Sequence, residues 1–506
     1  MMDRHTQPQP HPVVPLLMED SEPGRCPGTL VAAEDVRQAL DDLPAHLLRS
    51  TPPALPELAE LQVVRHFTRL SQRNFAVDTH TYPLGSCTMK YNPRAAHAVA
   101  SLAGFITRHP HTPDAHNQGL LATLAELQQM LAAITGLPEV SLAPMGGAQG
   151  ELAALAMIAA YHRDRGETQR TEVLVPNSAH GTNPASAAMC GLEVREIPTT
   201  PDGDVDTAAL AAALSGKTAA LMLTNPSTLG TFERRITAIT AMVHEAGALC
   251  YYDGANLNAI LGRVRPADMG FDALHLNLHK TFATPHGGGG PGAGPVAASK
   301  RLAPYLPLPY VLETDGVFRL ATPQERPQSI GVLGAFLGNV GVQLRAHAYL
   351  RLLGTPGLSR VSGYAVLNAS YVAHGLQQAG YRLAYPQRRA CHEFVVTLAK
   401  EAERYGVRAG DVAKRMLDFG IHAPTVYFPL LVSECLLIEP TETETKDDLD
   451  RLIMVMSQIM EEGRTQPELL QHAPHLLPIS RVDEVAAARH PVLTWRAALQ
   501  APDNQG

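Results

Sequence analysis

The chain has 506 residues, of which 45% are hydrophobic and 18% charged, and its formal net charge is −8. That length and apolar content call for two or three packed cores and exclude a disordered or fibrous chain. No Lys/Arg-rich run appears, which argues against a nucleic-acid surface, since phosphate binding needs clustered positive charge.

Residues 1–28 are rich in Pro and polar groups and read as a mobile arm, followed by a mixed helical region up to Gln72. From Asn74 to Leu320 short apolar runs alternate with helical patterns. EVLVP (172–176), AALMLTNP (219–226), ALCYYDGA (248–255) and ALHLNLHK (273–280) predict buried strands of a largely parallel sheet with helices on both faces. Residues 327–354 read as one long helix ended by Gly354, and a second helix runs from about Leu358 to Gln378. Strands near Tyr381–Leu383 and Phe394–Leu398, a helix at Asp411–Asp418, a strand at CLLIEP (435–440) and a charged helix over Thr445–Glu461 complete an α+β unit. The expected organisation is 1–75 (arm and helical segment), 76–325 (large α/β domain), 326–465 (small α+β domain) and 466–506 (tail).

Six cysteines (Cys26, Cys87, Cys190, Cys250, Cys391, Cys435) form no C-x-x-C pair and predict reduced thiols, not a disulfide framework. Apolar runs such as Leu152–Ala160 are too short to span a bilayer, and the polar N-terminus does not read as a signal peptide. A cytoplasmic location is expected.

Four segments carry chemistry. GGAQGE (146–151) precedes the helical run LAALAMIAAYH; its glycines let backbone N–H groups approach an anion at a helix N-terminus, though a flexible loop before a core helix gives the same pattern. VLVPNSAHGTNPAS (173–186) runs from a strand into a loop presenting His180, whose imidazole could stack on a planar ring or merely bond its neighbours. LCYYDGANLNA (249–259) sets Asp253 at the end of a buried strand, where a carboxylate needs a partner such as a pyridinium N–H; capping the next helix is the competing role. LHLNLHKTFATPHGGGGPGAGP (274–295) places Lys280 before a run of glycines that implies close backbone approach, which favours an amine nucleophile over a surface lysine. The order, with Lys280 27 residues after Asp253, is that of aspartate-aminotransferase-like (fold type I) pyridoxal-phosphate enzymes. In YPLGSCTMKYNPR, Lys90 and Arg94 could hold a substrate carboxylate or pair with local acids, and Cys87 is redox-active or simply packed. HPHTPDAH (109–116) lacks the spacing of a metal site, and Glu439 and Glu442 of IEPTETE read as braces for a helix start.

LSQRNFAVDTHTYPLGSCTMKYNPR (70–94), SAHGTNPASA (178–187), TNPSTLGTFE (224–233), YYDGANLNAILG (251–262), DMGFDALHLNLHKTFATPHGGGGPGAGP (268–295), LDFGIHAPTVYFP (417–429) and IEPTETE (438–444) resemble the glycine dehydrogenase (decarboxylating) family, the P-proteins of glycine cleavage systems. The resemblance covers roughly residues 60–465 and is to subunit 2 of the two-subunit bacterial form. It implies pyridoxal 5'-phosphate held covalently at Lys280, with Lys280 and His180 as the catalytic residues. Asp253 would meet the ring nitrogen and His180 the ring face; Gly147, Ala148 and Gln149 would lie by the phosphate, Thr228 by the ring hydroxyl, and His279 in the pocket wall. It implies decarboxylation of glycine with transfer of the aminomethyl group to the lipoyl arm of H-protein. Its implied partners are subunit 1 in an α2β2 heterotetramer, lipoylated H-protein and, indirectly, T-protein. Gln149 and Ser227 depart from the His and Asn usual at those positions. Another fold type I enzyme of small amino acids, or a cofactor-free scaffold, are the alternatives.

Overall fold

A computed structural model describes residues 14–25, 43–51, 53–286 and 292–494. Most of the N-terminal arm expected over 1–28 lies outside the described residues, as does the centre of the glycine run, 287–291. The chain forms two compact units, one of residues 1–79 with 474–506 and one of His80–Ala473. The first contains the amphipathic helix Glu60–Ser71 and a short helix Glu484–Arg489. Within it the Glu57 carboxylate accepts the Gly24 N–H, and the Ser21 hydroxyl accepts the Glu57 N–H.

The second unit is built on a seven-stranded sheet of β1 (Glu139–Ser141), β2 (Glu172–Pro176), β3 (Glu193–Ile197), β4 (Thr218–Thr224), β5 (Leu249–Gly254), β6 (Ala273–Leu276) and β7 (Val296–Ala298). Their order is β1-β7-β6-β5-β4-β2-β3. β3, β2, β4, β5 and β6 run parallel; β7 is antiparallel to both β6 and β1. Every residue of β4, β5 and β6 is buried, as continuous apolar runs in a sheet covered on both faces should be. Helices α1 (Gln118–Thr135), α2 (Gly147–Asp164) and α3 (Thr182–Met189) come from this half, and the single turn α4 (Leu278–Thr281) directly follows β6. A hairpin of β8 (Val311–Thr314) and β9 (Val317–Leu320) precedes the next region.

A second, antiparallel sheet has the order β10-β11-β13-β12, with β10 at Arg382–Leu383, β11 at Phe394–Thr397, β12 at Thr425–Val426 and β13 at Cys435–Ile438. Helix α5 (Val340–Gln378), α6 (Ala409–Asp418) and α7 (Lys446–Thr465) accompany it. Its core has its own members, among them Val372, Leu376, Phe394, Val396, Leu436, Leu452 and Met456. Each such fully buried apolar side chain contributes about 1.5–3 kcal/mol. The expected strands and helices of both halves are present within one to four residues, with one exception. The helix expected from Pro327 begins at Val340 instead. Gly331 (φ 86°) and Gly338 (φ 78°) take left-handed conformations there, and a Cβ on Gly338 would lie 2.9 Å from the Ala143 carbonyl oxygen. The break at Gly354 stands as expected, with φ 59° and ψ 176°.

The tightest backbone approach on the first sheet is at Gly254, whose added Cβ would fall 1.9 Å from the His275 carbonyl oxygen. Gly254→Ala should therefore part β5 from β6 and destabilise the protein by about 1–3 kcal/mol or more, read as a lowered urea midpoint.

Candidate active site

Parallel strands leave their carboxyl ends facing one crevice, and side chains there can face solvent while their backbones stay paired. In this sheet β2, β4, β5 and β6 deliver His180, Thr224, Asp253 and Asn277 to one cleft of about 440 Å³. Gly147 and Ala148 of α2, Lys280 and His279 of α4, Ser86 and Cys87, Thr228, and Thr425 and Phe428 complete its wall.

Asp253 is 2% exposed. Its Oδ1 accepts the Ala255 N–H at 3.0 Å and its Oδ2 the Asn183 amide at 3.1 Å; His275 Nε2 lies 3.6 Å from Oδ1. Burial pushes the carboxyl up, but the His275 imidazole, the Ala255 N–H, the Asn183 amide and the Lys280 ammonium together hold it below the ordinary carboxylate value. The pyridinium-facing role expected of Asp253 needs an ionised carboxylate, and this setting supplies one. It donates no cap to a regular helix; the following segment is a short 3-10 turn, Leu257–Ala259.

Two neighbours were not singled out from the sequence. His275 accepts from the Tyr251 hydroxyl on Nδ1 at 2.5 Å, which leaves Nε2 as the donor to Asn277 Oδ1 at 2.8 Å. Burial lowers the His275 pKa, with the Asp253 charge opposing, so the ring serves as an oriented N–H donor. Glu151, in the first turns of α2, accepts from the Thr182 hydroxyl at 2.8 Å and from the Asn183 amide at 3.1 Å. Burial and the nearby Asp253 charge raise Glu151 to about 8. Two carboxyls bridged by one Asn183 amide are thus driven apart, one neutral and one ionised at neutral pH. The one available signal was a charged residue opening an apolar helical run.

The α2 N-terminus carries no side-chain cap, so its first N–H groups are open to an anion. A Cβ on Gly147 would meet the Asn277 amide nitrogen at 2.4 Å, which explains the glycine. The Gln149 side chain turns elsewhere: its Oε1 accepts the Met145 N–H at 2.7 Å and its Nε2 donates to the Leu333 carbonyl at 2.9 Å, leaving only its backbone to the helix end. Thr228 donates to the Ser178 carbonyl at 2.5 Å. His180 hydrogen-bonds Thr182 at 2.9 Å and stands 5.9 Å from the Phe428 ring; burial lowers its pKa, against the pull of Asp253. His279 is pushed down to about 3, by burial first and then by Lys280 and two histidines.

Lys280 Nζ donates to the Ser86 carbonyl at 2.8 Å. Ser86 (φ 64°), which meets this amine, and Ala283 (φ 51°), three residues after Lys280, hold left-handed backbones that cost non-glycine residues about 1–2 kcal/mol each. Cys87 lines the cleft as a free thiol whose pKa burial raises, with the Lys280 ammonium opposing. Lys90 takes the local-acid alternative: fully buried, it pairs with Glu442 at 2.7 Å and donates to the Thr281 carbonyl at 2.7 Å. Glu439 accepts from Thr88 and Asn258, so neither glutamate braces a helix; Thr445 and Asp448 cap α7 instead. No helix among the described residues is long and apolar enough to cross a membrane.

Comparison with known proteins adds relatives. The family "Glycine dehydrogenase, C-terminal domain" matches residues 361–475, and "Aminotransferase class-V" matches residues 147–290. The chain is 58% identical over 489 residues to a probable glycine dehydrogenase (decarboxylating) subunit 2 of Methylococcus capsulatus, covering 96% of this chain and 99% of that one. It is 60% identical over 455 residues to a protein of the same name from Legionella pneumophila, covering 90% and 94%. In fold it is similar to a crystal structure of glycine decarboxylase (P-protein) of the glycine cleavage system in inhibitor-bound form. There the TM-score is 0.71 and the identity 24%, over 85% of this chain and 99% of that one.

The Glu151 setting has a consequence for stability. Its folded pKa of about 8 exceeds the ordinary 4.5, so the folded state holds a proton that the unfolded chain releases between those values. Stability contributed by Glu151 is complete below about pH 4.5 and is lost as pH rises to about 8. Urea midpoints of Glu151→Gln minus wild type should climb across that window; a flat difference would remove Glu151 from this role.

Proposed function

The chain belongs to the glycine dehydrogenase (decarboxylating) subunit 2 family, and from that membership we propose that it decarboxylates glycine with pyridoxal 5'-phosphate and passes the aminomethyl group to the lipoyl arm of H-protein. One observation supports this most directly. A strand-end carboxylate kept ionised, an uncapped helix N-terminus and a lysine amine converge on one cleft.

The residues present fit the cofactor. The uncapped N-terminus of α2 suits a phosphate, to which Gly147, Ala148 and Gln149 would offer backbone. Asp253 suits a pyridinium N–H, His180 the ring face, Thr228 the side of the ring hydroxyl, and His279, kept neutral by burial, the pocket wall. Lys280 is the residue of covalent attachment. When bound, pyridoxal phosphate supplies the electron sink that accepts the bonding pair left as the glycine carboxylate departs as CO2.

The chain's own groups do the rest. Asp253 keeps its negative charge against the ring nitrogen because Ala255 and Asn183 each donate an N–H to it and the His275 ring lies 3.6 Å away. Glu151, neutral, holds Thr182 and Asn183 and so fixes the loop that carries His180. Lys280 would hold the cofactor through its Nζ between turnovers, and its free amine would be available while glycine is bound. Phe428 beside His180 gives the mouth an apolar lip.

The two sheets of the second unit are read as the large domain (76–325) and small domain (326–465). The partners are subunit 1 in an α2β2 assembly, lipoylated H-protein directly and T-protein indirectly, in the cytoplasm.

Borohydride treatment followed by peptide mapping should label Lys280. With subunit 1 and lipoylated H-protein present, wild type should exchange labelled bicarbonate into the glycine carboxyl group, and Lys280→Ala should fall to background. Asp253→Asn should lose on the order of 10²-fold, about 2.7 kcal/mol of barrier. Good transamination without exchange would point to a different enzyme of small amino acids; a colourless, unlabelled protein would mean a scaffold.

A further inference from the structure

The Ser86 turn that meets Lys280 belongs, by its anchors, to the other sheet. The Gly85 N–H donates to the Leu437 carbonyl of β13 at 3.2 Å, and the Thr425 hydroxyl of β12 donates to the Gly85 carbonyl at 2.6 Å. A Cβ on Gly85 would lie 2.3 Å from Leu437 Cγ, so the loop sits flat on that sheet. The last anchor is Glu393, the residue before β11, with 0% exposure. Its Oε2 accepts the Ser86 N–H at 2.7 Å, and the Ser86 carbonyl in turn accepts Lys280 Nζ at 2.8 Å.

We propose that Glu393 is a positioning residue: through the Ser86 peptide it holds the acceptor that aims the free Lys280 amine into the cleft. Ser86 has φ 64°, a backbone that a serine leaves unless something retains it. The Glu393 side chain is that retainer, and the peptide it grips transmits the hold from one sheet to the amine on the other. Glu393 is itself fixed. Its Oε1 faces the Asn256 amide at 3.4 Å and His392 Nε2 at 3.7 Å, and its backbone carbonyl oxygen would lie 2.2 Å from a Cβ on Gly230. The titratable groups facing it are Glu439, Lys280, His392, Cys87 and Cys391. Burial and the Glu439 charge raise its pKa, which favours the neutral acid as the acceptor of the Ser86 N–H. His392, pushed down to about 3 by burial, adds no positive charge that would ionise it.

The inference rests on the proposed cofactor role of Lys280, and the test separates the two. Cofactor-free wild type, Glu393→Ala, Glu393→Asp, Glu393→Gln and Ser86→Gly/Glu393→Ala are each mixed with pyridoxal phosphate. The growth of borohydride-fixable label at Lys280 is followed in time, with the unfolding midpoint of each variant. Glu393→Ala should attach the cofactor about tenfold more slowly, the scale of one lost buried hydrogen bond. Glu393→Asp, which keeps the carboxyl but draws it back by one methylene, should slow it too, and it carries the test if the alanine variant does not fold. Glu393→Gln, a neutral acceptor of the same length, should stay within about threefold of wild type. Ser86→Gly/Glu393→Ala should recover part of the rate, because glycine takes a positive φ without cost. In the exchange reaction the slow variants should lose kcat with little change in KM for glycine. Wild-type rates in Glu393→Ala or Glu393→Asp, or a glutamine variant as slow as alanine, would overturn the proposal. A wild type that takes no label at Lys280 would overturn the cofactor reading instead.

Discussion

The site is organised by the need to keep one negative charge in a place from which water is removed. Asp253 is 2% exposed at the end of a strand whose every residue is buried. An isolated ion there would take up a proton. Nearly every distinctive residue of the cleft can be read as an answer to that constraint. His275 is locked by Tyr251 into the tautomer that points an N–H forward, and Asn183 divides its amide between two carboxyls. Glu151 stays protonated so that no second charge competes. The electron-withdrawing work asked of a bound ring thus begins in the pairing of β5 with β6 and the packing of α2.

The second constraint is mechanical. The amine at Lys280 rises from a single helical turn that the first sheet supplies, whereas its acceptor, the Ser86 carbonyl, is held by β12, β13 and Glu393 of the second sheet. Thr88 and Asn258 repeat the arrangement around Glu439, and Lys90 around Glu442. These buried bonds make a seam with fixed register, and the left-handed turn at Ser86 is stable only while the seam is closed.

Lys280, Asp253, His180 and Gly147 were legible because each stands where an apolar run stops, and the run itself reports a buried strand or helix. The strands of the first sheet were legible for the same reason. His275 was not, because inside an apolar run a polar residue looks like an interruption until its partners are known, and Glu151 was not, because it merely opens such a run. Glu393 was hidden more completely: its significance is a contact with Ser86, 307 residues away, and no local periodicity encodes that. Gln149 is a different case: its place in the loop does not announce that its side-chain amide is taken up by Met145 and Leu333. The helix expected from Pro327 failed because apolar spacing was weighed over three glycines, two of which adopt left-handed backbones.

The span between Ser86 and Glu393 also bears on how the protein is made. A ribosome extending the chain from its N-terminus releases Ser86 long before Glu393, and the bond between them closes a loop of 307 residues. Such closure carries a large entropic cost and comes late in folding. The first sheet, with strands drawn from residues 139–298, can form beforehand and already carries Lys280 and Asp253. A nascent chain therefore passes through a stage in which the amine exists without its guide, and capture of a small reactive aldehyde at the right atom becomes efficient only after synthesis is nearly complete.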